Sequence, residues 1–238
     1  MHKKSDCVNC VLSAQRQIDK TFKDTTMTKK SNATALVLRC CQADMTSKNG
    51  FVWPQVGGVA KALDWRDNAN CGHGLHGWLY GQGDYSTSDF ASNPEAKWLV
   101  VQVEESTIRM LGGKCKFPEG RVVFVGAKSD AAEYIIANEP RAKNVAVIGR
   151  VALVGDTEPA LAGALGTATA GNYGTATAGE YGTATTGKSG EIRIKYFDQS
   201  SDRSRTKIGY VGEDGIKPNT AYRLDKKHEF IEVEKQNA

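Results

Sequence analysis

Between residues 166 and 189 the chain reads GTATAGNY, GTATAGEY, GTATTGKS, one octapeptide three times over, and nothing else in the sequence repeats so regularly. A fixed period this short cannot be packed as an ordinary globular core; it is satisfied by short strands that coil and stack unit upon unit. Each unit alternates Thr-Ala-Thr-Ala, so on a strand Thr167, Thr169, Thr175, Thr177, Thr183 and Thr185 share one face and the alanines the other. The glycine that follows leaves room for a corner that a side chain would obstruct. An imperfect fourth unit, EPALAGAL at 158–165, places Ala162-Gly163 where Ala170-Gly171 falls and Leu165 in the slot of Tyr173. Tyr173 and Tyr181 are expected to stack at equivalent corners.

The repeat divides the chain into an arm over 1–33, an α+β domain, mostly β, over 34–156, a short β-solenoid over 157–190 and a small β tail over 191–238. With 40% hydrophobic and 24% charged residues in 238, the composition is that of a globular chain. Net charge is +4, with 31 basic and 27 acidic residues interleaved; no basic stripe marks a nucleic-acid surface. No apolar run approaches the ~18 residues of a membrane span, and no apolar stretch follows the first lysines, so neither a membrane role nor a secretory leader is expected. Six cysteines are too sparse for a disulfide scaffold and fit a reducing compartment.

ALVLRCC at 35–41 and KWLVVQVE at 97–104 read as buried strands, the second with Trp98, Val100 and Gln102 on one face and Leu99, Val101 and Val103 on the other. CKF and RVVFVG continue a sheet. DAAEYIIAN at 130–138 has helical spacing behind an Asp cap, and NVAVIGRVALVG at 144–155 reads as a strand pair or a bent strand. The tail keeps β alternation in EIRIKYF, with charge in place of threonine as a cap on a stacked array requires, and then offers three more short strands.

Chemistry concentrates in CGHGLHGWLYGQGDYSTSDF at 71–90, where glycines bring backbone close to whatever the loop faces. Its candidate binding residues are Cys71, His73, Gly74, His76, Trp78, Tyr80 and Tyr85. His76 is expected to matter more than His73, because it stands between Leu75 and Gly77-Trp78 in an apolar setting. The competing reading has the glycines making turns and His76 satisfied against the core. Cys71, His73 and His76 lack a fourth ligand, and Cys7-Val-Asn-Cys10 lacks a second pair, so no metal and no cofactor are expected.

CGHGLHGW followed by KWLVVQV, GGKCKF and VVFVG, then by the octets and by GYVGEDGIKPNTAYRL and EFIEVE, resembles an uncharacterised domain common in bacteriophage and prophage genomes, over roughly residues 35–235. The octets resemble the Thr-x-Thr repeats of bacterial ice-nucleation proteins and, more loosely, the coils of trimeric adhesin heads. These resemblances imply a β-solenoid and a phage or prophage origin; a repeat explained by stacking and the lack of a complete catalytic signature then lead to the expectation of a non-enzymatic accessory protein, in the host cytoplasm or the virion. Its N-terminal domain would bind a host or phage protein or a small polar ligand, and its repeat would be an oligomerising spacer. A homotrimer is expected, because Ala and Thr bury little apolar area in one coil and identical outward rows suit cyclic symmetry; Tyr173 and Tyr181 would join the threonines at that interface.

An enzyme is the alternative. Arg39, Ser86-Thr87-Ser88 and Gln102-Val103-Glu104 resemble the Arg, Ser-Thr-Ser and Gln-x-Glu elements of the ADP-ribosyltransferase superfamily, which implies use of NAD. Against that pattern only 13 residues separate Ser88 from Gln102, and alternation puts Gln102 and Glu104 on the face of Trp98 and Val100.

Overall fold

The structure, a computed structural model, describes residues 33–234. The expected N-terminal arm with its Cys7 and Cys10 lies almost wholly outside them. The first part is an antiparallel sheet of seven strands: β1 (Thr34–Cys41), β2 (Val59–Lys61), β3 (Leu75–Leu79), β4 (Lys97–Glu104), β5 (Arg109–Met110), β6 (Cys115–Phe117) and β7 (Glu119–Gly126), in the order β2-β7-β4-β1-β3-β6-β5. The apolar runs ALVLRCC and KWLVVQVE pair along their full lengths, Thr34 with Glu104 through Cys41 with Lys97. Both are central strands, and each therefore carries apolar residues on both faces.

Alternation sorts these side chains into two cores. Leu38, Cys40, Trp78, Trp98 and Val100 face helix α1 (Lys128–Asn138), which covers them with Ala131, Ala132 and Ile135. Val37, Cys41, Leu99, Val101 and Phe117 face the other way, under Met45 and Trp53 from the segment that joins β1 to β2. That segment forms the isolated bridge Thr46 to Val52, and Pro54 stops any longer strand. Helix α1 starts two residues before the expected Asp130. Its N-cap position is Ala127, with no side-chain cap, and Asp130 lies in the first turn, where its charge favours the helix N-terminus.

From Val151 the chain coils. β8 (Val151–Leu153), β10 (Thr167–Ala170) and β12 (Thr183–Thr186) stack in parallel on one side; β9 (Pro159–Leu161), β11 (Thr175–Ala178) and β13 (Glu191–Asp198) stack on the other. Thr167 pairs with Val151 and with Thr183, so one coil takes two octets and there are three coils. The solenoid is thus longer than the stretch expected from 157 to 190. RVALVGDT and GEIRIKYF are octets too, recognisable by Ala152 and Ile192 in register with Ala168 and Ala176.

Alanines fill the coil interior as alternation requires: Ala152, Ala160, Ala168, Ala176 and Ala184 are 3% exposed or less. In the last coil Ile192 and Ile194 take alanine slots, and Ile216 and Tyr222 close the end. The cap is made by β14 (Arg203–Tyr210), which pairs antiparallel with β13, and by β15 (Tyr222–Leu224) with β16 (Phe230–Glu232), which add to β12. EIRIKYF is accordingly a rung of the solenoid, and the cap is its hairpin partner β14, which begins at Arg203.

The corners correct one expectation. Tyr173 joins β10 to β11 and Tyr181 joins β11 to β12, so they sit at opposite edges of the coil and do not stack on each other. Leu165, Tyr173, Tyr181 and Ser189 each adopt φ between 55° and 58°. The left-handed residue of each corner is therefore the one before the octet's first glycine, a costly conformation for a bulky side chain. The glycines solve a different problem: a Cβ on Gly174 would stand 2.9 Å from the Glu158 carbonyl of the coil beneath.

One edge of the coils rests on the sheet domain. Val147 C=O accepts from Gly163 N–H at 2.8 Å, Ala164 C=O accepts from Gly149 N–H at 2.9 Å, and Leu165 packs on the helix-side core. Residues 144–150, expected as strand, form the irregular seam that makes these bonds.

Candidate functional site

The segment 71–90 does not fold as one binding loop. Its first part wraps an internal cation. Lys116, in CKF, is wholly buried, and its ammonium donates to Asn68 Oδ1 at 2.9 Å, Asn70 C=O at 2.8 Å and Gly72 C=O at 3.2 Å, above the Trp65 ring. A buried ammonium has to be surrounded by acceptors, and the turns around Gly72 and Gly74 aim backbone carbonyls at it. Cys71 is exposed on this loop. His73 is left-handed at φ 52° and has Nδ1 3.5 Å from Asp64.

The rest of the segment disperses. Trp78 stacks on Trp98 at 5.8 Å and donates from Nε1 to the Asp84 carbonyl. Tyr80 lies beneath the Arg141 guanidinium, 4.4 Å from its ring centroid. That guanidinium clasps Glu139 at 2.6 Å, and Glu139 also accepts from Leu36 N–H, tying the end of α1 to β1. Tyr85 reaches the solenoid, edge-on to Tyr181. Of the seven candidates, only Gly74 and His76 line a common cavity.

That cavity, about 270 Å³, opens on the sheet face away from α1 and is walled by Phe51, Trp53, Leu63 and Leu75, with Arg39, Ser47 and Asn49 among its polar members. Arg39 is the one charged residue in ALVLRCC. It pairs across β4 with Leu99 and so shares the face of Val37 and Cys41, where its guanidinium lies 5.6 Å from the Trp53 ring centroid. Its Nη1 donates to the His76 carbonyl and its Nη2 to Ser47 Oγ, both at 3.2 Å. Ser47 Oγ also accepts from Trp53 Nε1 at 2.8 Å. Nε of Arg39 is sealed from solvent without a partner. Among the described residues no carboxylate comes within ion-pair distance of Arg39; Asp64, at the same cavity, lies 3.5 Å from His73 Nδ1 instead. Burial pulls the Arg39 pKa down from its ordinary value.

His76 sits opposite Lys116 across β3 and β6. Burial first, then Lys114, Arg39 and Lys116, push its pKa down to about 4, so the imidazole is neutral at pH 7, and its buried Nε2 has no partner among the described residues. Two wider openings, about 570 and 800 Å³, lie beside the coils around Glu180, Tyr196 and Phe197. Tyr196 is stacked there on His228 at 4.0 Å, and burial followed by the charge of Asp84 raises the Glu180 carboxyl.

The elements that resemble an ADP-ribosyltransferase are not gathered. Arg39 points to one face of the sheet, while Gln102 and Glu104, offset from Leu99 by odd steps along a regular strand, belong to the other. Ser88 Oγ lies 3.1 Å from Cys40 Sγ, again across the sheet from Arg39. The sequence pointed to Arg39 only through the ADP-ribosyltransferase resemblance, and Ser47 and Trp53 not at all; the signal for this cavity was an arginine inside an otherwise apolar strand.

Residues 35–137, from β1 through α1, match the family described as Domain of unknown function (DUF7666). The chain is 38% identical over 105 residues to an ice nucleation protein of Pseudomonas fluorescens, and 35% identical over 107 residues to one of Xanthomonas campestris pv. translucens. It is 31% identical over 103 residues to ice nucleation protein InaU of Pantoea ananas. These matches take in 43%, 44% and 42% of this chain but 8%, 7% and 10% of the relatives, so the chain spans a tenth or less of the curated relatives it matches. The repeat is similar to ice-nucleation repeats, as its Thr-x-Thr rows suggest. No solved structure matches the chain.

Proposed function

We propose that this is a non-enzymatic binding protein, a phage or prophage accessory factor acting in the host cytoplasm or the virion. Its sheet domain takes a ligand or partner, and its three-coil solenoid is a rigid, self-associating extension. The observation that carries the reading is the outer face of β8, β10 and β12. It presents Val151 and Leu153, 53% and 78% exposed, followed by Thr167, Thr169, Thr183 and Thr185 in register, with no charge among them. The opposite side carries Glu191 and Arg193 on its last rung. Strands β14 to β16 already pair with the last coil, which favours sideways contact between uncharged faces over end-to-end stacking, and closed symmetry of low order follows. Multi-angle light scattering tests this. Wild type should be an oligomer, a trimer by preference, and T169K with T185K should be monomeric with an unchanged melting temperature. A monomeric wild type would overturn the reading.

The threonine rows support a second reading, contact with ice. Outward threonines stand ~4.8 Å apart between coils and ~7 Å apart along a strand, a regular hydroxyl lattice, and the named relatives are ice nucleation proteins. Only two coils carry Thr-x-Thr on this face, so the surface suits adsorption to ice and is too small to template it. Inhibition of ice recrystallisation that T169K abolishes would favour this reading.

A further inference from the structure

We propose that the cavity at Arg39 binds a small organic monocarboxylate, with the carboxylate on the guanidinium and a short apolar body against Trp53 and Phe51. The proposal rests on reading the sheet domain as the binding part of the protein, and names its ligand class.

Donors converge on this cavity, and the one carboxylate that lines it, Asp64, does not reach Arg39. A guanidinium has five N–H donors in a planar fork. Arg39 spends one on the His76 carbonyl and one on Ser47 Oγ, which leaves three. Ser47 Oγ accepts twice, from Arg39 and from Trp53 Nε1, so both its lone pairs are engaged and its own proton is free to be donated to a ligand. A positive charge held in a partly buried site by neutral oxygens alone is costly, and among the described residues no carboxylate, Asp64 included, comes within ion-pair distance of it. A carboxylate supplies the missing charge and matches the fork with two parallel bonds.

The remaining wall sets the rest of the ligand. Phe51, Trp53, Leu63 and Leu75 leave apolar area that inorganic phosphate would not cover, and about 270 Å³ holds a single ring or a short branched chain. The neighbouring His76 is neutral and donates no charge.

Isothermal titration of the full-length protein with benzoate, 3-methylbutanoate, benzamide and inorganic phosphate tests the assignment, and quenching of Trp53 fluorescence gives a second readout. The two carboxylates should saturate the protein at one site per chain. Benzamide and phosphate should bind about tenfold to a hundredfold more weakly, the value of a charge-assisted pair of bonds. R39M keeps much of the side chain's length and should lose carboxylate binding by a similar factor while melting at or above wild type, because the uncompensated charge has gone. S47A should weaken binding less. Absence of saturable carboxylate binding to wild type, equal binding by R39M, or phosphate binding as tight as benzoate would each overturn the proposal. Self-association, read by light scattering on the same samples, reports separately on the proposed role of the solenoid. A chain that assembles but binds no carboxylate loses this inference alone.

Discussion

The ring of Tyr181 stands edge-on to that of Tyr85 with 5.8 Å between centroids, and through this contact a corner of the repeat is seated on the domain that precedes it. Tyr173 has the same place in its octet and nearly the same φ, but it lies on the opposite edge of the coil, and although both rings are largely exposed, at 62% and 72%, Tyr181 is the one that meets another ring. Identical positions in the repeat thus have unequal physical roles. Replacing Tyr181 by Ala should destabilise the protein by about 0.5–1.5 kcal/mol, the value of the aromatic pair alone, whereas Tyr173→Ala should stay within ~0.5 kcal/mol. Chemical denaturation of both, with Tyr85→Ala for a double-mutant cycle, checks it; additive Tyr85 and Tyr181 effects would mean that the rings do not interact.

The octet's sixth-position glycine is expected to be intolerant for steric reasons alone. A Cβ on Gly179 would fall inside contact distance of the Gly163 and Ala164 backbone, whereas one on Gly155, at the entrance to the array, would meet nothing within 4 Å. Gly179→Ala should cost about 1–3 kcal/mol, as overpacking does, and Gly155→Ala should be near neutral. Thermal melts of the two variants decide it, and equal melting temperatures would show that the coils can spread.

Much of this architecture was legible in the sequence because periodicity survives folding. The alternation in KWLVVQVE and the Thr-Ala-Thr-Ala rows describe the faces found. The outer octets were hidden because only their inward residues obey the repeat: in RVALVGDT and GEIRIKYF the outward positions hold Val, Leu, Glu and Arg, leaving Ala152 and Ile192 as the trace. The candidate site was less legible. Histidines and glycines drew attention to 71–90, yet Gly72 serves Lys116, and the cavity is built around Arg39 by Ser47 and Trp53, a contact across the sheet face that no local pattern encodes.

Lys116 makes that distinction measurable. Its ammonium gathers three acceptors from residues 68–72, so Lys116→Met should leave them unpaired at about 1–3 kcal/mol. Hydrogen exchange should then rise across 66–74 while amides of β1 and β4 stay protected. If exchange rises equally everywhere, the lysine holds the whole core and not the loop.

The last expectation concerns acid. His76 has its folded pKa pushed down to about 4 from 6.5, by burial first and then by Lys114, Arg39 and Lys116, while a hydrogen bond with the Gly74 backbone works the other way. In the unfolded chain the same imidazole titrates near ~6.5. Between those values the unfolded state binds the proton and the folded state does not, so stability rises with pH across the window. The contribution is complete above ~6.5 and is lost as the pH falls toward 4, below which both states are protonated and no further loss comes from this residue. At ~1.4 kcal/mol per pH unit the interval from 6.5 to about 4 amounts to about 3.5 kcal/mol, which partial exposure to solvent lowers to about 2–3 kcal/mol. His76→Gln removes the titration while keeping a polar side chain of similar length. Urea midpoints between pH 7 and pH 4 should therefore fall more steeply for wild type than for the variant, with the difference confined to that interval. Parallel curves would show that His76 finds a proton acceptor when the protein is acidified and that its burial carries no cost.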